Sequence, residues 1–135
     1  MLKPYLFSPS EFAFGYSGCK RCYYDLKVND LRVNFGFPTI FSKIDSIQKK
    51  FYHNKPSNYL NSNKVPKGII KTDYAKLHKS EVLYDQKDRA FQLRGKIDAY
   101  IDHKDFFSII DFKVTKINEK KSLTYLTQLN SYAIM

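Results

Sequence analysis

The feature that most constrains this chain is the stretch Gly95 to Lys113, where side chains alternate between apolar and polar and two aspartates recur at matching places. Lys104 and Asp105 fit a two-residue turn, which pairs His103 with Phe106, Tyr100 with Ile109 and Asp98 with Asp111. Ile97, Ala99, Ile101, Ile110 and Phe112 then share one apolar face, and the acids fall on the other. Val82 to Tyr84, Phe91 to Asp102 and Phe106 to Thr115 read as three antiparallel strands on this pattern.

Helices flank the strands. Ser8-Pro9-Ser10-Glu11 is a helix start in which Ser8 and Glu11 can form a capping box and Pro9 suits the first helical position. Phe12 and Tyr16 share one side of the short helix that follows, and Cys19 to Asp25 continues as a helical turn or a loop. After Gly36 and Pro38, the spacing of Ile40, Ile44, Ile47 and Phe51 predicts an amphipathic helix with that stripe in the core and Asp45 beside it. Residues 54 to 80, rich in Pro, Asn and Lys, read as a surface connection with one helical turn near Tyr74 to His78. Beyond Asn118 a helical pattern returns, with Leu123, Leu126, Leu129 and Ala133 apolar and Tyr125, Gln128 and Tyr132 as a polar stripe. The expected architecture is therefore α+β, a small and mostly antiparallel sheet flanked by helices, in one domain of 135 residues.

Two aspartates directly opposed on one sheet face have Cβ atoms roughly 4.5 to 5.5 Å apart, so they repel unless a cation lies between them. Magnesium or manganese suits such a place, because a hard ion prefers oxygen donors and is commonly held by one or two carboxylates. Lys113, two residues past Asp111, shares the face and could orient a water or stabilise charge on a phosphate. An Asp-x-Lys pattern alone is a weak signal, since an ordinary amphipathic hairpin also turns its charges to water. The formal charge of +10, from 23 Lys and Arg against 13 Asp and Glu, makes a polyanionic partner such as nucleic acid plausible.

Taken together, Gly95-x-x-Asp98, Ile109-Ile110-Asp111-Phe112-Lys113 and Gln128-x-x-x-Tyr132 resemble the motif series of RecB-like nucleases of the PD-(D/E)XK superfamily, a clade that includes CRISPR-associated exonucleases. Ser8 to Phe12 and Cys19-Lys20-Arg21-Cys22-Tyr23-Tyr24 are similar to that family's opening helix and its Cys-Pro-Arg-like turn, with Lys20 in place of the usual proline. The resemblance implies a restriction-endonuclease-like core and metal-dependent cleavage of DNA. It assigns Asp98 and Asp111 to the metal, with the backbone carbonyl of Phe112 as a further ligand, and makes Lys113 catalytic. Gln128 and Tyr132 would organise the site or contact DNA, and Asp45, ahead of His53, would stand where relatives supply an acid or histidine from the preceding helix. The family fold continues past the Gln128 helix, so the resemblance also implies a core incomplete at its C-terminal side, with a protein partner covering the sheet. The alternative is a non-catalytic nucleic-acid-binding or assembly subunit that keeps the fold.

No segment has the length and hydropathy of a signal peptide or membrane span, because Ser108 and Asp111 interrupt the longest apolar cluster. A cytoplasmic location is expected, with Cys19 and Cys22 reduced. Two thiols cannot complete a four-thiolate iron-sulfur cluster, and Cys22 reads as a small packed residue.

Overall fold

In the computed structural model, described for residues 3–15, 18–31, 38–62, 64–72, 76–116 and 119–135, seven short strands and three α-helices are present. Helices and small, antiparallel-rich sheets make the fold α+β. The chain divides into two compact units: Met1–Gly36 with His78–Gly95 and Lys116–Met135, and Phe37–Leu77 with Lys96–Thr115.

The first unit is organised by β5 (Ala90–Gly95). Strand β1 (Tyr5–Phe7) runs parallel to it, while β4 (Leu83–Tyr84) pairs antiparallel with its beginning and β3 (His78–Lys79) with its end. The capping box forms as the sequence indicates: Ser8 N–H donates to Glu11 Oε2 at 2.6 Å and Glu11 N–H to Ser8 Oγ at 3.3 Å. The turn it opens is a π-helical one, Glu11–Gly15. Tyr16, expected beside Phe12, lies outside the described residues.

The ambiguous cysteine segment is helix α1 (Lys20–Val28), capped by Cys19, whose Sγ accepts from Cys22 N–H at 3.3 Å. Both cysteines are exposed, so Cys22 is not the packed residue expected. Helix α3 (Glu119–Ala133) forms where the pattern returns, and its Leu123, Leu126 and Ala133 are exposed. Its inward face carries Gln128, Ser131 and Tyr132, and Tyr125 meets Phe14 edge-on at 5.6 Å. Gly95 makes that seat: a Cβ there would stand 3.0 Å from Pro9 and 3.2 Å from the Tyr132 ring.

In the second unit, β2 (Ile70–Thr72), β6 (Ala99–Asp102) and β7 (Phe107–Ile110) form an antiparallel sheet in the order β2-β6-β7. The β6-β7 register is the one read from the sequence: Tyr100 faces Ile109, and His103 N–H donates to the carbonyl of Phe106 across the two-residue turn at 2.9 Å. Ile70, Ala99 and Ile101 are fully buried, with Tyr52, Leu60, Val65, Ile110 and Phe112 packed on them. Phe91 to Asp102 is not one strand, since β5 and β6 belong to different sheets and Lys96 to Asp98 lie between them.

Residues 54 to 80 are more than a surface connection. They hold a 3-10 turn, Ser57–Leu60, together with β2, and they insert Ile70 into the core. The short turn foreseen near Tyr74 lies largely outside the described residues, and His78 is in β3. Helix α2 (Thr39–Tyr52) forms where the spacing predicts, but its Ile40, Ile47 and Phe51 are 54 to 67% exposed. Tyr52 fixes the helix rotation by stacking on Phe112, with ring centroids 5.2 Å apart and planes 19° from parallel. That rotation turns Asp45 and Lys49 toward the end of the β6-β7 hairpin.

Candidate active site

The β6-β7 ladder ends at Ala99 and Ile110, so Asp98 and Asp111 occupy the next register position without being ladder partners. The chain is still held there. Asp98 Oδ2 accepts from the backbone N–H of Phe112 at 3.0 Å, which ties the first acid to the residue following the second. The Phe112 ring, stacked on Tyr52, anchors that residue to the core.

The two carboxylates come within hydrogen-bonding reach of one another, and both are withdrawn from water. Asp111 has 7% of its side chain exposed and Asp98 17%. Burial holds the Asp111 carboxyl above the usual aspartate range, and the charge of Asp98 pushes in the same direction. Lys113 opposes this only in part, with its ammonium 2.5 Å from Asp111 Oδ2 and 31% of its side chain exposed.

Lys49 was not singled out from the sequence, and it is the residue that joins helix to hairpin. Its Nζ lies 2.7 Å from Asp98 Oδ1 and 2.9 Å from Asp45 Oδ2, with only 14% of its side chain exposed. Burial draws its pKa down, but the hydrogen bonds it donates to Asp98 and Asp45 outweigh this and keep the ammonium protonated. A lysine one helical turn after Asp45 looks in the sequence like an ordinary i, i+4 surface pair. Only the rotation of α2 shows that it reaches Asp98.

Asp45 therefore connects to the acid pair through Lys49, and it stays 45% exposed. His53 turns its ring to β2, where Nδ1 accepts from Thr72 N–H at 3.3 Å and lies 2.9 Å from Thr72 Oγ1. Gln128 and Tyr132 belong to the first unit, whereas the acids belong to the second. They are buried at 4% and 9% exposure, and Gln128 Nε2 donates to the Tyr132 hydroxyl at 3.2 Å.

Among the described residues, no three Asp, Glu, His or Cys side chains converge as a metal cage. Comparison with family models, curated proteins and solved structures returns no match. The donor set has to be judged on its own chemistry. Two adjoining, water-poor carboxylates suit a magnesium or manganese ion, which often takes one or two protein oxygens and keeps waters for a substrate phosphate. The raised Asp111 pKa fits this, since a cation would offset both the burial and the Asp98 charge that raise it.

Proposed function

We propose that this chain is a nuclease of the RecB-like PD-(D/E)XK type, hydrolysing DNA phosphodiester bonds at Asp98, Asp111 and Lys113. The observation that supports it most is the buried carboxylate pair with a lysine on the neighbouring acid, since such repulsion has little structural purpose. A magnesium or manganese ion held by Asp98 and Asp111, with the Phe112 carbonyl as a further ligand, would neutralise charge at the scissile phosphate and acidify an attacking water. Lys113, partly in solvent, is placed to orient the water or stabilise charge developing on the phosphate. The hydrogen bond from Phe112 N–H fixes the orientation of Asp98 throughout.

Lys49 favours a second reading. An internal ammonium already neutralises Asp98, as expected of a nucleic-acid-binding or assembly subunit that has no further use for a metal. Incubation with single- and double-stranded DNA in magnesium or manganese separates the two. For a nuclease, cleavage requires the ion and falls roughly 100-fold or more in both Asp111→Ala and Lys113→Ala. Binding without cleavage in either metal would leave the subunit reading.

A further inference from the structure

The first unit carries a surface that uses none of the acid-site residues. Two clefts, of about 440 and 810 Å3, share Tyr5, Arg89 and Ala90 as a common wall along β1 and the start of β5. Tyr24, from α1, lines the first cleft and Tyr84, from β4, the second. These three tyrosines are 55%, 57% and 67% exposed, so each presents a ring to solvent.

Cations are interleaved with the rings. Lys20 lines the first cleft, and Lys3 and Lys87 the second. Arg89 is held in place by Asp85, with its Nη2 at 2.6 Å and its Nε at 2.7 Å from Oδ2. Lys3 and Lys87 make no side-chain ion pair among the described residues, so their charge is available to an anion.

Exposed rings alternating with cations match a polymer whose flat apolar bases alternate with phosphates. Duplex DNA does not offer its base faces to such rings, because they are already stacked on each other. We infer that this double cleft binds an unpaired stretch of DNA, with bases stacked on Tyr24 and Tyr84 and phosphates beside Lys3, Lys20 and Lys87. The inference rests on the proposed DNA substrate and adds which form of it is held. Its charge complementarity is local, since Asp85 and Asp88 are the carboxylates in the lining and Asp85 is engaged by Arg89.

The test is equilibrium binding of oligo(dT) to the full chain in EDTA, followed by anisotropy of a labelled strand and by intrinsic tyrosine fluorescence. The chain has no Trp, so its emission comes from its 11 Tyr, and the quenching lost in each Ser variant reads the ring that was replaced. Tyr24→Ser and Tyr84→Ser are each expected to weaken binding by roughly 5- to 100-fold, with unchanged melting temperature. Tyr24→Phe and Tyr84→Phe should bind like the parent, because the ring does the stacking. Tyr59→Ser, an exposed tyrosine of the second unit, should have no effect.

An abasic oligonucleotide that binds as tightly as oligo(dT) would overturn the inference, as would Ser variants that keep parental affinity. Tighter binding of oligo(U), or displacement of oligo(dT) by polyglutamate at equal charge, would reassign the surface to RNA or an acidic protein. Because EDTA prevents cleavage, these results stand apart from the nuclease reading. Cleavage of DNA by a protein whose Ser variants bind normally would sink this inference alone, and clean base-dependent binding with no cleavage in metal would sink the other alone.

Discussion

At the scale of single residues, the acid pair costs the fold stability at neutral pH. The Asp111 carboxyl is held above 3.8, the usual aspartate value, by burial and by Asp98, so the folded chain binds its proton more readily than the unfolded chain does. The protonated form is therefore the favoured one in the fold. Stability associated with this group is present at low pH and is lost as pH rises from 3.8 through the raised folded value, leaving a cost at neutrality. Asp111→Asn removes that charge and supplies an amide that can donate to Asp98. Without divalent ions at pH 7, the variant should melt a few degrees higher than the parent, where about 1 kcal/mol corresponds to roughly 4 to 8 °C for a small domain. The gain should shrink as pH falls and Asp111 protonates. Added manganese should raise the melting temperature of the parent and not of Asp111→Asn, because only the parent keeps both donors. A lower melting temperature for Asp111→Asn at pH 7 would show that the ion pair with Lys113 outweighs the repulsion.

At the scale of elements, the β6-β7 hairpin was legible in the sequence because its register depends on two local facts, a two-residue turn and a period of two. The capping box at Ser8 and Glu11 was legible for the same reason, both partners lying within four residues. Helix rotation was not. The Ile40, Ile47 and Phe51 stripe marks α2 as a helix, yet the inward face is chosen by Tyr52 on Phe112 and Lys49 on Asp98, partners about 50 to 60 residues along the chain. The same held for α3, whose Tyr125 meets a ring from the opening turn. Strand β2 stayed hidden because it has three residues among prolines and lysines, too few to show alternation. Gly68 shows how tightly that strand's approach is nonetheless specified. A Cβ there would collide with the side chain of Ile101, and the glycine N–H donates to Ser57 Oγ at 3.2 Å while its carbonyl accepts from Ser57 N–H at 2.8 Å. Gly68→Ala should therefore destabilise the chain by about 1 to 3 kcal/mol in urea unfolding, as overpacking does. Combining it with Ile101→Leu, which lacks the Cγ2 methyl that the new Cβ would meet, should recover part of the loss, whereas additive losses would mean the collision is relieved elsewhere.

At the scale of the whole molecule, the chain crosses between its two units four times, after residues 36, 77, 95 and 115, so neither unit is a continuous segment. Divided that way, the first unit has 12 Lys and Arg against 7 Asp and Glu, and the second has 11 against 6, an excess of five positive charges in each. The second unit keeps this excess despite the acids of the candidate site, and no helix among the described residues is long and apolar enough to cross a membrane. Binding of the proposed DNA substrate to such a charge excess should be dominated by counterion release. For a single strand neutralised at about four phosphates, affinity should fall roughly 50-fold between 50 and 200 mM salt, with log K linear in log salt. Tyr84→Ser should shift that line down without changing its slope, since stacking releases no counterions, whereas Lys87→Ala should make it shallower by about 0.7. A slope near zero in the parent would mean that the excess positive charge serves solubility alone, and the DNA reading at both surfaces would lose its electrostatic support.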